Sequence, residues 1–103
     1  MSQFNNVSIV KKGNVFFDGK CVSHSVLFPD GTRKTVGVIL PSTLTFDVST
    51  PELMEITSGT CRVKIGEEPA FKTYAAGDRF AVAANSRFVI ETNEVVNYVC
   101  SFG

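Results

Sequence analysis

Turn-forming residues divide this chain into short segments, and their spacing limits the possible folds more than any other feature. The strongest turn signals are Asp18-Gly19, Asp30-Gly31, Pro41-Ser42, Ser49-Thr50-Pro51, Ser58-Gly59, Gly66 through Pro69, Gly77-Asp78, Asn85-Ser86 and Asn93. The runs between them are rich in Val, Ile, Thr and Phe, which suit a pleated, half-buried strand. Most are too short for a helix, and the longest, 78–102, is β-branched, aromatic and interrupted. The sequence therefore predicts an all-β fold.

Strands are predicted at spacings typical of a β-sandwich or barrel. The predicted strands are Cys21–Leu27, Val36–Leu40, Leu44–Val48, Cys61–Ile65, Phe88–Thr92 and Val95–Phe102. Alternation places Phe88, Ile90 and Thr92 on one face of their strand. The length of 103 residues is that of one domain, so we expect a single domain over 1–103. Residues 1–13 are expected to form a loosely held N-terminal arm or strand.

The charge balance and histidine count exclude some classes of function. Ten basic and ten acidic side chains cancel, which disfavours binding to polymeric nucleic acid. One histidine cannot supply a multi-histidine metal site within one chain. The surface that charge does not occupy is open to a partner subunit, which is a hypothesis at this stage.

The cysteines and the N-terminus indicate a cellular compartment. Cys21, Cys61 and Cys100 are odd in number and lack C-x-x-C spacing, so we expect reduced, buried thiols. Met1–Lys12 has neither the basic nor the apolar region of a signal peptide. No apolar run approaches the roughly 20 residues of a membrane helix. A soluble, cytoplasmic protein with no membrane partner is expected.

One carboxylate stands at the mouth of a predicted hairpin. In the segment from Pro51 to Val63, alternation places Glu52, Met54 and Ile56 on one face. Two of these are apolar, so this face is expected to point inward, with Glu52 opening into a barrel mouth. The alternative is a solvated acid that follows a proline turn, and this pattern leaves both open.

The segment from Glu52 to Gly59 resembles the second half of the first cupin motif. The second cupin motif overlays on Gly77 through Phe88, with Phe88 at the position of a metal-binding histidine. The other histidine positions fall within Thr45–Val48, which contains none. An isolated Glu is not a metal site. The resemblance implies a single-domain, cupin-like β-barrel of jelly-roll type that lacks the usual metal ligands.

Within that fold the chain resembles the small pyrimidine/purine nucleoside phosphorylases over about residues 14–102. The resemblance is carried by Phe17-Asp18-Gly19-Lys20, Arg33, Val36-Gly37-Val38-Ile39, Thr45-Phe46, Pro51-Glu52-x-Met54, Ser58-Gly59, Tyr74-x-x-Gly77, Phe80-x-Val82, Ser86-x-Phe88 and Tyr98-x-Cys100. Phe71 stands where the family has Trp.

The resemblance implies a broad-specificity enzyme, a pentosyltransferase that uses inorganic phosphate to split purine and pyrimidine nucleosides into ribose 1-phosphate and free base. No cofactor is expected, since phosphate is a co-substrate and the chemistry needs no metal. Fold analogy favours a homodimer. The alternatives are a non-catalytic cupin-like module that binds a nucleoside or sugar, and a dimeric β-barrel with a vestigial pocket.

The candidate site residues follow from these roles. Arg33 is expected to bind phosphate, since an arginine fork matches its oxygens, although a surface arginine in a turn is equally compatible. Glu52 is the candidate catalytic residue, which would bind ribose hydroxyls or stabilise positive charge on the sugar. Ser86, in a turn at the rim, is a second candidate for phosphate or simply a turn former. The candidate substrate-binding residues are Phe46, Met54, Phe88 and Tyr98, for which core packing is the alternative.

Other polar residues are assigned outside the site. Alternation with Phe80 and Phe88 points Arg79 and Arg87 away from the interior. His24 is interpreted as structural or exposed.

Overall fold

The computed structural model describes residues 2–103, and nearly all of their regular structure is β-strand. The strands are β1 (Ser8–Ile9), β2 (Asn14–Phe16), β3 (Cys21–Leu27), β4 (Arg33–Ile39), β5 (Ser42–Val48), β6 (Glu52–Ser58), β7 (Thr60–Ile65), β8 (Lys72–Ala75), β9 (Arg79–Val82), β10 (Ser86–Thr92) and β11 (Val96–Phe102). One short helical turn, Phe17–Gly19, separates β2 from β3. Within the described residues, no helix has the length and apolar character to cross a membrane. The predicted all-β fold is confirmed.

The strands form two antiparallel sheets. The larger sheet has the order β1-β3-β4-β11-β6-β9, with β2 also paired to β3, and the smaller has the order β5-β10-β7-β8. Buried residues of both sheets form one apolar core, which includes Ile39, Ile56 and Tyr98 from the larger sheet and Val63 and Phe88 from the smaller. Because side chains of both sheets fill this core, a ligand site between the sheets must lie beyond the packed residues.

The predicted alternation is confirmed in both strands that were used to argue it. Met54 and Ile56 are buried in β6, and Glu52, on the same face, is half-buried at the start of the strand. In β10, Phe88, Ile90 and Thr92 are all buried. The inward face of each strand was therefore readable from local sequence, because side chains alternate with a period of two.

Three short strands have no counterpart in the predicted set. One is β2, of three residues. The others are β8 (Lys72–Ala75) and β9 (Arg79–Val82), each four residues long and separated by the turn at Gly77-Asp78. Gly77 has φ +96°, and the Asp78 carboxylate accepts a hydrogen bond from the Ala75 amide at 2.8 Å. Runs this short carry too few alternating positions to be recognised as strands.

The N-terminal segment pairs with one edge of the larger sheet. β1 pairs with Val26 and Leu27, and β2 pairs with Cys21 through Ser23, so both lie against β3. Between them, the Val10 amide donates to the Ser25 carbonyl at 3.0 Å. His24 Nδ1 lies 3.1 Å from the Val10 carbonyl oxygen.

The three cysteines are buried and free. Cys21 and Cys100 lie in the larger sheet and Cys61 in the smaller. Burial raises the pKa of the Cys61 thiol to about 11, so it stays protonated at neutral pH. This agrees with the prediction of buried, reduced thiols.

A glycine in β4 leaves space for an aromatic ring of the neighbouring strand β11 to lie over it. Gly37 in β4 lies directly opposite Tyr98 in β11. A Cβ atom at position 37 would lie 2.5 Å from Cζ of Tyr98, so the ring occupies the space that any other side chain would need. The glycine therefore fixes where the Tyr98 ring lies.

We expect Gly37→Ala to lower the free energy of unfolding by about 1–3 kcal/mol, because the added methyl overpacks against the ring. Gly66→Asn is the matched control: that position has φ +55° and open space around it, and Asn tolerates the left-handed region. Urea unfolding measures both variants. Equal midpoints for Gly37→Ala and the wild type would contradict the close packing of the Tyr98 ring.

Candidate functional site

A cavity of about 360 Å³ lies between the two sheets where the core ends. This volume falls within the range of about 300–1,000 Å³ that is usual for small-molecule sites. The larger sheet and β2 contribute one part of the lining and β5 and β10 the other. The lining residues are Asn14, Phe16, Ser23, Ser25, Arg33, Thr35, Phe46, Asp47, Glu52, Met54, Phe88, Tyr98, Cys100 and Phe102.

The register of three neighbouring strands sets the charged side of the cavity. Phe102 of β11 lies opposite Glu52 of β6, and Cys100 lies opposite both Met54 of β6 and Thr35 of β4. The first residue of β4, Arg33, continues the same row on the other side of Phe102. A cation and a carboxylate therefore line one cavity, carried by strands that flank β11.

The Arg33 guanidinium is held in place without a carboxylate partner. Its Cζ lies 4.4 Å from the centre of the Phe102 ring, a cation–π contact. Its Nη1 lies 3.4 Å from the Ser25 hydroxyl oxygen, a long hydrogen bond. No ion pair within residues 2–103 involves Arg33. Most of its five donors are thus available to an anion.

The Glu52 carboxylate receives a hydrogen bond from a buried thiol. Cys100 Sγ donates to Glu52 Oε1 at 3.4 Å. Burial raises the pKa of Glu52, and the thiol hydrogen bond opposes that shift by favouring the charged form. Burial, together with the charge of Glu52, raises the pKa of Cys100 to about 12, so the thiol remains a donor at neutral pH. The Glu52 carboxylate is therefore half-buried and accepts one hydrogen bond within the protein, from the Cys100 thiol.

The side of the cavity that carries Arg33 and Glu52, called the polar wall below, also contains hydroxyl groups. Ser23 and Thr35 are buried and line the cavity from β3 and β4. The Tyr98 hydroxyl lies 3.4 Å from Cys21 Sγ, and burial raises the pKa of this phenol. Tyr98 is therefore a neutral group in the floor of the cavity.

The opposite wall is aromatic. Phe46 of β5 and Phe88 of β10 are cross-strand partners, and their rings stack with centroids 5.0 Å apart and planes 12° apart. Phe80 meets the Phe88 ring edge to face behind them, at 5.5 Å. Phe88 is buried and Phe46 is only partly buried, so the Phe46 ring is the apolar surface that this wall offers to a planar ligand, across the cavity from the polar wall.

The structure brings together all but one of the residues selected from the sequence. Those that line the cavity are Arg33, Phe46, Glu52, Met54, Phe88 and Tyr98. Ser86 lies outside this cavity, on a surface depression beside Asn85 and Arg87, and its hydroxyl donates to the Ala83 carbonyl at 2.6 Å. Arg79 and Arg87 are exposed, as alternation predicted.

His24 lies on the face of β3 that points away from the cavity. Its neighbours in sequence, Ser23 and Ser25, line the cavity, whereas His24 lines a groove on the outer face of the larger sheet. His24 was interpreted as structural or exposed, and it is partly buried on this outer face.

Sequence reasoning missed the hydroxyl groups and the thiol. Ser23 and Ser25 alternate along the predicted strand Cys21–Leu27, so their shared face was visible as a pattern, whereas Thr35 precedes the predicted strand Val36–Leu40 and belongs to β4 only in the structure. Their closeness to Glu52 depends on the pairing of β3, β4, β11 and β6, which no local pattern reveals.

The cavity offers a poor ligand set for a metal ion. Glu52 is its half-buried carboxylate, and the side chain of Asp47, 85% exposed, faces Arg87 at 3.7 Å. Within the described part of the chain, no group of three or more His, Cys, Asp and Glu side chains could hold a metal ion. These side chains can instead bind an anion, form hydrogen bonds with hydroxyl groups and pack against a planar ring.

Comparison with known proteins agrees with this chemistry. A sequence model of the family described as pyrimidine/purine nucleoside phosphorylase matches residues 11–102. A protein of Cupriavidus pinatubonensis, named pyrimidine/purine nucleoside phosphorylase, is 60% identical over 103 residues, covering 100% of this chain and 98% of its own.

Solved structures are similar over the same extent. A protein of unknown function from Acinetobacter sp. ADP1 superimposes with a TM-score of 0.96 at 52% identity, covering 98% of each chain. Fe(II)-HppE shares the fold alone, with a TM-score of 0.68 at 12% identity, over 100% of this chain and 60% of its own. The cupin-like β-fold expected from the sequence is confirmed.

We expect Glu52→Gln to raise thermal stability at neutral pH. The folded state raises the pKa of Glu52, so ionisation of this carboxyl favours the unfolded chain. Below its ordinary pKa of about 4.3 the group is protonated in both states, and the penalty disappears. The excess Tm of Glu52→Gln over the wild type should therefore grow as pH rises above about 4. Thermal unfolding followed by circular dichroism from pH 4 to 8 measures this, and a difference that is constant across the range would contradict it.

Proposed function

We propose that this chain, which belongs to the pyrimidine/purine nucleoside phosphorylase family, is an enzyme that cleaves purine and pyrimidine nucleosides with inorganic phosphate. The products would be ribose 1-phosphate and the free base, which makes it a pentosyltransferase of broad specificity. One observation carries the proposal at the level of chemistry: the cavity sets a free guanidinium and a carboxylate on one side and stacked aromatic rings on the other.

The reaction makes specific demands on such a cavity. A phosphate oxygen forms a bond to C1′ of the ribose while the bond from C1′ to the base nitrogen breaks. The nitrogen keeps the electron pair of that bond and gains a proton from solvent. Positive charge develops on the sugar ring between these events, as in glycoside hydrolysis. The site must therefore bind an anion, oppose a cation and accommodate a leaving base.

Arg33 is proposed to bind the phosphate. Its ring contact with Phe102 and its bond to Ser25 orient the guanidinium, and the donors that remain suit phosphate oxygens. The buried hydroxyls of Ser23 and Thr35 offer further donors nearby. Ser86 is left out of this proposal, because its hydroxyl is engaged by Ala83 outside the cavity.

Glu52 is proposed as the catalytic residue. Its carboxylate can accept hydrogen bonds from ribose hydroxyls and oppose the positive charge that develops on the ring. Cys100 donates to one of its oxygens, which favours the ionised form against the effect of burial. The hydrogen bond from Cys100 thus supports the ionised carboxylate that this chemistry needs, although the side chain is half-buried.

Phe46 is proposed to bind the base by stacking, with the buried Phe88 ring supporting it and with Met54 and Tyr98 lining the same cavity. Stacking tolerates every base, because each has a π-face, and this supports a broad range of purines and pyrimidines. An unselective wall for the base and a charged wall for sugar and phosphate would divide recognition between the two sheets.

The proposed reaction uses phosphate as a co-substrate and no cofactor, in a cytoplasmic setting. The cupin metal positions are held by Phe88 and by Thr45–Val48, and the buried thiols suit a reducing compartment. Activity is therefore expected to survive EDTA.

Purified protein should release uracil from uridine and hypoxanthine from inosine only when phosphate is present. Arg33→Ala should raise the KM for phosphate at least about ten-fold, since a charge-assisted hydrogen bond is lost, and Arg33→Lys should have a smaller effect. Glu52→Gln should chiefly lower kcat. Product assays by chromatography, with phosphate and nucleoside varied separately, measure these effects.

Arg87→Ala is the matched control, since Arg87 is an exposed arginine outside the cavity. It should leave both KM values unchanged. No base release from any nucleoside would overturn the proposal, and stabilisation by nucleosides without turnover would favour a binding module instead. Wild-type phosphate dependence in Arg33→Ala would remove Arg33 from its role.

The outer face of the larger sheet supports a homodimer as the working form. Val36, Val38 and Val99 lie side by side on β4 and β11, and together with Asn97 they line a groove of about 620 Å³. Among residues 2–103, no Lys, Arg, Asp or Glu side chain lines this groove, and its one imidazole is that of His24. Two copies related by a two-fold axis would therefore oppose apolar surface to apolar surface without repulsion between like charges.

Val99→Glu should shift the protein from dimer to monomer, because it places a charge in the middle of that face. Thr73→Glu, on exposed β8 of the smaller sheet, is the control and should remain dimeric. Sedimentation velocity measures the mass, and circular dichroism checks that each variant is folded. A monomeric wild type, or a dimeric folded Val99→Glu, would contradict pairing through this face.

A further inference from the structure

The turn between β2 and β3 contains three consecutive residues in the left-handed region of backbone space. Phe17 has φ +52°, Asp18 φ +54° and Gly19 φ +91°. Glycine adopts such angles freely, but a bulky residue rarely does, and its presence there is a conformational strain. Strain of this kind persists only where surrounding structure enforces it, and it is concentrated at functional sites.

Burial of Phe17 does not account for the strain. The side chains of Phe16 and Phe17 are 46% and 41% exposed. The turn is fastened on its far side instead: the Lys20 amide donates to the Phe17 carbonyl at 3.1 Å, and the Leu40 amide donates to the Lys20 carbonyl at 2.8 Å. These bonds hold the turn against the larger sheet while both rings remain partly open to solvent.

What the turn achieves is the position of one ring. In an extended strand, Phe16 and Phe17 would point to opposite faces. Here Phe16 lines the cavity, and the Phe17 ring meets Phe46 edge to face with centroids 5.0 Å apart and planes 76° apart. Phe46 in turn stacks on Phe88. The left-handed turn therefore lets the Phe16 side chain line the cavity from β2 while the Phe17 ring packs on Phe46 of the aromatic wall.

We propose that Phe17 is a substrate-contacting residue that forms the outer end of the aromatic wall and packs against the nucleobase. This inference rests on the proposed function for the identity of the ligand. Phe17 does not itself line the cavity, but its ring contacts Phe46, which does, and its side chain is 41% exposed. It also comes from a different element than Phe46 and Phe88. A base on Phe46 would meet the Phe17 ring at its edge, and the ring would shield the base from water.

This role assigns Phe17 to recognition of the base and not of sugar or phosphate. The polar wall that would face ribose and phosphate is carried by β4, β6 and β11, whereas the ring contact of Phe17 is with Phe46 on the aromatic side. A change at Phe17 should therefore separate the two halves of the substrate. A merely structural role would not produce such a separation.

The test uses the reverse reaction, in which ribose 1-phosphate and a free base are varied independently. Phe17→Ala should raise the KM for hypoxanthine and for uracil roughly ten-fold, because an aromatic contact to the base is lost. The KM for ribose 1-phosphate should stay unchanged. Phe17→Trp, which retains a ring, should restore the KM for the base, and Phe17→Leu should not.

Phe28→Ala is the matched control: Phe28 packs edge to face on Phe4 outside the cavity, so its loss should change neither KM. A Phe17→Ala enzyme with wild-type KM values for the bases, or with equal increases for base and ribose 1-phosphate, would overturn the proposal. Thermal unfolding of each variant identifies any that fail to fold, and Phe17→Leu then replaces Phe17→Ala in the comparison.

A binding measurement keeps this inference distinct from the proposed function. Calorimetric titration with inosine in the absence of phosphate should give a dissociation constant roughly ten-fold weaker for Phe17→Ala than for the wild type. If the wild type binds inosine in this manner but never cleaves it, the phosphorylase proposal fails and the role of Phe17 stands. If the wild type neither binds nor cleaves inosine, uridine or the free bases, both fail.

Discussion

The pairing of β11 with both β4 and β6 is the constraint on which the site depends. The two antiparallel ladders place Phe102 opposite Glu52 and Cys100 between Met54 and Thr35, and the Arg33 guanidinium packs over the Phe102 ring. A shift by one residue would send every one of these side chains to the other face of the sheet. Tyr98 lies opposite Gly37, and only glycine leaves space for the ring. A shift of register would place a residue with a Cβ atom there, which makes the shift costly. Core packing thereby sets the geometry of the polar wall.

The two charged groups of the cavity, Arg33 and Glu52, are each only partly compensated by contacts within the protein. Arg33 is supported by a ring and a hydroxyl, which orient it without neutralising it. Glu52 is partly withdrawn from water, and one thiol favours its charged form. Direct pairing of the two groups would have satisfied both and left neither for a ligand. Their separation by Phe102 on an intervening strand is consistent with a site whose missing counter-charges come from the substrate.

Much of this arrangement was readable from local sequence, and the rest depends on non-local pairing. The inward face of β6, with Glu52, Met54 and Ile56, followed from alternation, as did the burial of Phe88 and Ile90. The thiol beside Glu52 could not be found, because Cys100 lies 48 residues away and only strand register brings it close. The contact of Phe17 with Phe46 could not be predicted either, since a left-handed Phe has no sequence signal and the adjacent Asp18-Gly19 indicates only a turn.

The pairing of β1 and β2 with the same strand has a consequence for self-association. Together with the bond from Val10 to Ser25, these two short strands cover the outer edge of β3 along its whole length. An uncovered edge of seven residues would present open backbone donors and acceptors to the β-strands of other molecules, which is the usual start of edge-to-edge aggregation. The first part of the chain thus replaces an edge of seven residues with strands of two and three residues, and edges this short offer another molecule few backbone groups to pair with.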